Sequence, residues 1–285
     1  KLDMRALLGR VALGRPRLGR VVLNPQAAPA GGGPAAVAEG LQRGILGVIG
    51  AFTRPDGRLD YTALRASPAW AEAAERAGAL QSVSLGDLAG RQSRLAFWIN
   101  VYNAMVLHGI VALGIRRTVW EVRGFYHRVA YRVGGFTLTA DDVEHGILRG
   151  NAAHGLLRRR PFGGRDPRLA LAVHPVDPRM HFAITCGAQS CPPVGVYRAA
   201  VLDQQLDLAT RNFLNQEVAL DAGGCVTCSR ILEWYAADFD SAGGLGAFLL
   251  RYLDAGPVRD AVAGRPRPCD QFRSYDWSLQ HEPAE

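Results

Sequence analysis

The feature that most constrains the fold is the apolar stretch of residues 94–113, with Phe97-Trp-Ile-Asn-Val-Tyr-Asn-Ala-Met-Val-Leu-His-Gly109 at its centre. Its spacing predicts the strongest helix of the chain. Phe97, Val101, Ala104, Met105 and His108 fall on one face, and Asn100 and Asn103 on an adjoining stripe. Gly114 is a natural stop. An asparagine amide inside an apolar helix is costly unless its donors and acceptor are paired. Asn100 and Asn103 therefore either knit this helix to a neighbouring segment or line a polar binding cleft.

Shorter elements surround it. Residues 37–53 read as an amphipathic helix that ends before the turn signal Pro55-Asp-Gly57, and residues 61–79 as one or two short helices. Residues 126–133 and 136–138 read as strands joined by Gly134-Gly135, a good hairpin dipeptide. Thr139 and Asp142 form a capping-box pattern that opens a helix carrying Glu144 and His145. Residues 150–178, rich in Arg, Pro, Gly and His, read as an irregular surface segment. Residues 201–215 are helical, 217–227 a hairpin around Ala222-Gly-Gly224, and 231–239 and 245–253 helical again. Without βαβ alternation the class is α+β, a mostly helical domain packed around a small antiparallel sheet.

Residues 4–23 are studded with Arg and free of acids. They read as an exposed basic arm, with organellar targeting as the alternative, and residues 1–3 as an expression scar. Residues 24–34 have the composition of a linker. The expected organisation is a flexible arm and linker over 1–35 and one domain over 36–285. The net charge of +7 is carried by Arg dispersed along the chain, Lys1 being the sole lysine, so no nucleic-acid partner is expected. No run approaches eighteen uninterrupted apolar residues, and no membrane span is expected. Five cysteines, an odd number beside a large core, argue against a disulfide-built scaffold and for a reducing, cytoplasmic setting.

The chemistry concentrates in residues 178–197. Residues 180–185 read as a buried strand broken by Gly187 and Pro192-Pro193, which puts Cys186 where a strand gives way to a turn. A cysteine nucleophile needs a base to form thiolate and an acceptor to orient that base. Cys186 has His181 or His145 as base, with Asp276, Glu144 or Asn103 as orienting group. In a regular strand His181 and Cys186 point to opposite faces, which favours His145. Equally, Cys186 is a small buried apolar residue, the common fate of a free cysteine. Cys186 and Cys191, with Cys225 and Cys228, also offer two thiolate pairs to a zinc ion. The loose spacing of the first pair makes two local coincidences the better reading, so neither metal nor cofactor is expected. Ser190 lacks the Gly-x-Ser-x-Gly elbow and reads as a loop hydroxyl that caps backbone donors. Asp276, beside aromatic residues, either ties down the tail or orients an imidazole.

Four blocks, 96–104, 141–148, 181–193 and 275–279, resemble in order and spacing the domain of unknown function 547 family. The resemblance covers residues 40–280 and implies membership without an activity. Their layout is also loosely similar to the papain and transglutaminase group of thiol enzymes. In that group the cysteine opens the central helix, where this chain offers Asn100 and Asn103, so the thiol would come from the Cys186 loop. The expectation is a cysteine-dependent hydrolase or acyl transferase acting on an amide, ester or thioester of a small molecule or peptide. Its catalytic set would be Cys186, Cys191, His181, His145, Glu144 and Asp276, with Asn100, Asn103 and Ser190 binding. The alternative is a non-catalytic binding module built on the same polar pocket.

Overall fold

The computed structural model describes residues 19–55, 59–154 and 159–279. The basic arm over 4–18, the expression scar and the Asp56-Gly57 part of the expected turn lie outside the described residues. The rest of the expected arm and linker is held against the domain. Val21–Val22 forms strand β1, and the buried Asn24 donates to Ala77 and Arg132 carbonyls and accepts from Arg132 N–H.

Helix α1 (Pro34–Phe52) buries the stripe Ala38, Leu41, Ile45 and Ile49, spaced as one helical face. Two short helices follow, α2 (Tyr61–Ala66) capped by Asp60 and α3 (Pro68–Glu75) capped by Ser67. Helix α4 (Gly90–Ala112) is the central stretch of the sequence, and every residue from Leu95 to Val111 is buried. Both α1 and α4 are long and apolar enough to cross a membrane by length and composition; α4 is the core helix of the domain, 94% of its most apolar window being buried.

Helix α5 (Phe125–Arg128) leads into β2 (Val129–Val133), which pairs antiparallel with β3 (Phe136–Thr139). Gly134 and Gly135 both hold positive φ, 51° and 88°, as a two-residue hairpin matched to strand twist requires. The strand expected from residue 126 starts three residues later because α5 occupies 125–128. A Cβ on Gly109 would stand 2.8 Å from Val129 Cγ1, so glycine lets α4 approach β2. The Thr139–Asp142 pattern forms as expected, each residue's backbone N–H donating to the other's side-chain oxygen. The helix that follows, Asp142–Leu148, is a π-helix.

The second half comprises α6 (Leu202–Glu217), β4 (Ala219–Leu220), β5 (Val226–Cys228), α7 (Arg230–Trp234), α8 (Gly244–Tyr252), α9 (Pro257–Ala263) and β6 (Gln271–Phe272). The class is α+β. The expected single antiparallel sheet is corrected to two three-stranded mixed sheets, since β1 joins β2 and β6 joins β5 in parallel. Residues 150–178, expected as a surface segment, bury Phe162 and Val173.

Cys228 is bonded to Cys269, which removes Cys228 from any pair with Cys225. The bond closes a span of 41 residues, and its entropic effect on the unfolded chain is about 4 kcal/mol. Reduction should lower unfolding stability by about 2–4 kcal/mol in a denaturant titration, and Cys269→Ala should reproduce the loss.

His108 is buried beside Tyr131, its Nδ1 3.0 Å from the phenol oxygen, and burial pushes its pKa down to about 4. Between pH 4 and the ordinary value of about 6.5 the unfolded chain therefore binds the extra proton. This contribution to stability is complete above pH 6.5 and is lost as pH falls toward 4. Urea unfolding should show stability rising across that window, with a shallower slope in His108→Phe.

Candidate active site

The site begins with α4, whose polar stripe is spent on backbone groups. Asn100 Nδ2 donates to Tyr197 O at 2.7 Å and its Oδ1 accepts from Tyr197 N–H at 2.9 Å. Asn103 does the same for the next loop, donating to Ala183 O at 2.9 Å and accepting from Thr185 N–H at 2.9 Å. Neither amide faces a cleft, which corrects their expected binding role. They hold the two ends of residues 183–197, the segment that carries both cysteines.

That segment is not preceded by a strand. Asp177 caps a 3-10 helix, Pro178–Phe182, and the chain then turns through Ala183 to Thr185. Pro at the first helical position and an aspartate cap outweigh the apolar run of residues 180–185. At Gly187, φ is 82°. A Cβ there would collide with Ile110 Cδ1, so glycine is required on both counts.

The resulting turn brings Cys186 and Cys191 together. Cys186 N–H donates to Cys191 Sγ at 2.9 Å, and Tyr275 Oη lies 3.2 Å from one sulfur and 3.1 Å from the other. Each thiol also acts on the other's proton affinity. Burial raises both thiols, but at Cys191 the Cys186 thiol, Tyr275 and backbone N–H groups outweigh it and bring the pKa to about 7. At Cys186 burial and the Cys191 charge both act upward. The pair thus holds one thiolate near neutral pH, resting on Cys191, with the second proton retained on the half-buried Cys186.

Tyr275 is delivered by the C-terminal tail, which pairs with the cysteine loop. Gln189 N–H donates to Ser278 O and Asp276 N–H to Ser190 Oγ. Ser190 therefore accepts from a backbone donor, as expected of a loop hydroxyl. Asp276, expected as a possible orienting group, is exposed and caps Ser278 instead. Trp120, Trp234, Tyr275 and Trp277 make a half-buried aromatic wall with centroids 4.7–5.8 Å apart. Tyr126 donates to Cys186 O at 2.7 Å.

The expected bases are engaged elsewhere. His181 Nε2 lies 2.8 Å from Asp238 Oδ2, while its buried Nδ1 makes no hydrogen bond. Burial lowers its pKa against the pull of Asp238, so the ring is neutral with its proton on Nε2. His145 Nδ1 accepts from Arg149 Nη1 at 2.8 Å, and burial lowers its pKa to about 4. Neither ring hydrogen-bonds a sulfur, which corrects both expected cysteine–imidazole pairs. Glu144, expected to orient an imidazole, accepts from Tyr102 at 2.8 Å and Tyr235 at 2.6 Å. Burial works against its charge; the neighbouring His145 and the two hydroxyls prevail and hold its pKa low. Arg149 closes the network by gripping both oxygens of Asp238, at 2.5 and 2.9 Å. Tyr126, Tyr235, Asp238 and Arg149 carried no signal in the sequence, whereas Tyr102 lies within the first block. Tyr275 did carry one, as the first residue of the fourth block.

Residues 86–214 match the model of the family described as protein of unknown function, DUF547. The match takes in three of the four blocks and stops short of the tail that supplies Tyr275. No curated protein matches the chain, and no solved structure does.

Asn103→Ala should cost about 2–4 kcal/mol, since Thr185 N–H and Ala183 O would both be left buried without partners. The same variant should raise the apparent thiol pKa of the cysteine pair, read by the ultraviolet absorbance of thiolate against pH.

Proposed function

We propose that this chain, with its DUF547 match over residues 86–214, is a cysteine-dependent hydrolase or acyl transferase acting on an amide, ester or thioester. One observation carries the reading: Cys186 N–H donates to Cys191 Sγ and Tyr275 Oη lies within 3.2 Å of both sulfurs, an arrangement that keeps one thiolate near neutral pH. The Cys191 thiolate stands in for the imidazole as the base that activates the neighbouring thiol. Cys186, the more exposed residue of the two, is the nucleophile, and the Cys191 thiolate is the base that receives its proton. As Cys186 attacks the acyl carbon it passes its proton to the Cys191 thiolate. A C–S bond forms and the carbonyl electron pair moves onto oxygen. Collapse expels the amine, alcohol or thiol, which takes the proton from Cys191. Water or another acceptor then attacks the acyl-cysteine, giving its proton to Cys191 and expelling Cys186 as thiolate, which takes the proton back from Cys191 to restore the starting pair.

Tyr275 supports the charge on either sulfur, and the aromatic wall offers an apolar seat for the acyl or leaving group. Glu144, His181 and Asp238 act by position, holding Tyr235 and Arg149 behind the thiols. The second reading, a binding module without turnover, is favoured by the lack of a hydrogen bond from His145 or His181 to either sulfur.

Iodoacetamide labelling across pH, read site by site in a mass spectrometer, should give a half-maximal rate near pH 7 for the pair. Thioester and activated-ester probes should be turned over by the native chain, slowly by Cys191→Ala and not by Cys186→Ala. Labelling no faster than that of a free thiol at every pH would remove the enzyme reading. Fast labelling without turnover of any probe would favour the binding module.

A further inference from the structure

A second cluster lies beside the thiol site and plays no part in the mechanism above. Asp141 Oδ1 faces three imidazole nitrogens, His154 Nε2 at 3.1 Å, His127 Nδ1 at 3.4 Å and His145 Nε2 at 4.0 Å. The ligand atoms of Asp141, His145 and His154 all lie within 4.8 Å of one another. The rings of His145 and His154 stack with centroids 3.8 Å apart, so their nitrogens are presented side by side. Asp141 is buried, and the His145 and His154 side chains are 14% and 21% exposed.

We propose that Asp141, His145 and His154 form a binding site for a divalent transition ion of the zinc class, with His127 at its open side. A tetrahedral ion with bonds of about 2.0–2.1 Å sets its ligand atoms about 3.3 Å apart. The separations of 3.1 and 4.0 Å from Asp141 Oδ1 to His154 and His145 bracket that edge, and with all three ligand atoms within 4.8 Å of one another closure needs side-chain movement of at most about 1.5 Å. The donor set of imidazoles and one carboxylate suits zinc or cobalt better than magnesium or calcium, which favour oxygen alone.

The elements fix these groups from different directions. Asp141 and His145 come from the π-helix and the residue preceding it, and His154 from the segment that bridges back to Arg159. His154 Nε2 donates to Asp141 Oδ1 at 3.1 Å, while Nδ1 is buried without a hydrogen-bond partner, so ion binding at Nε2 shifts that proton to the unpartnered Nδ1. His145 is different. Arg149 Nη1 donates to its Nδ1, which leaves the proton on Nε2. Ion binding at Nε2 moves that proton to Nδ1 and turns Nη1 away, while Arg149 Nε and Nη2 keep their hold on Asp238. The ion therefore competes with two hydrogen bonds, Arg149 to His145 and His154 to Asp141, a modest cost beside the free energy of a zinc site.

The test uses the full chain and its Cys186→Ser/Cys191→Ser variant, because thiolates are rival zinc ligands. Equilibrium dialysis against zinc alone should give one ion per chain in both proteins. Cobalt should give the intense visible bands of a tetrahedral site without thiolate charge-transfer absorption in the double variant. His154→Gln and His145→Gln should each weaken binding at least about tenfold, and His174→Gln should leave it unchanged. His154→Gln decides the matter should His145→Gln unfold, since His154 lies outside the π-helix. Zinc bound equally by His154→Gln, zinc lost with the two thiols, or no zinc bound at all would overturn the proposal.

Discussion

The pairing of Asn103 with the backbone at Ala183 and Thr185 is the interaction on which the thiol site depends. Its side-chain amide supplies one donor and one acceptor to the backbone of the turn that follows the 3-10 helix. Asn100 repeats the device at Tyr197. A loop that carries two cysteines through a glycine at positive φ has few backbone bonds of its own. Fixing it from a helix buried on every side makes the position of the sulfurs a property of the core. The cost of burying two amides is offset only because each is paired at both ends.

Behind the sulfurs lies a second polar layer with a different logic. Arg149, Asp238, His181 and Glu144 are charged or titratable and nearly all are buried. Charges so placed add little net stability, but losing one partner leaves the other unpaired in a poorly solvated place. Each carboxylate accordingly has at least two donors: Tyr102 and Tyr235 for Glu144, Arg149 and His181 for Asp238. Tyr235 stacks on His181 at 4.0 Å and lies under Arg149 at 4.8 Å, so a single ring joins the two halves of the network.

Much of this was legible in the sequence, for reasons that differ by element. Helix α4 was visible because apolar spacing over five turns leaves little choice, and the hairpin because Gly134-Gly135 demands one turn type. The asparagines posed the right question, and the structure answers it with backbone pairing. Cys186 and Cys191 could be singled out, but their mutual contact could not, because a five-residue separation says nothing until the turn between them is known. The apolar run of residues 180–185 pointed to a strand, and the Asp177-Pro178 start of a helical turn overrode it. Asp238 and Arg149 were invisible: a salt bridge between residues 89 apart leaves no local trace. The bond from Cys228 to Cys269 was invisible for the same reason, the two lying 41 residues apart.

The π-helix over Asp142–Leu148 has a consequence of its own. Arg149 N–H reaches Glu144 O and Asn151 N–H reaches Gly146 O, each spanning one residue more than an α-turn would. The segment thus carries a surplus residue relative to an ordinary helix of the same rise. Removing that surplus would let the backbone relax into a better-bonded coil, and the chain would still reach from β3 to the next loop. Yet every side chain beyond the deletion would swing to a new bearing, and Glu144, His145 and Arg149 would no longer share a neighbourhood. In this stretch length itself encodes chemistry, so a shortened relative could preserve the architecture while discarding what the architecture is for.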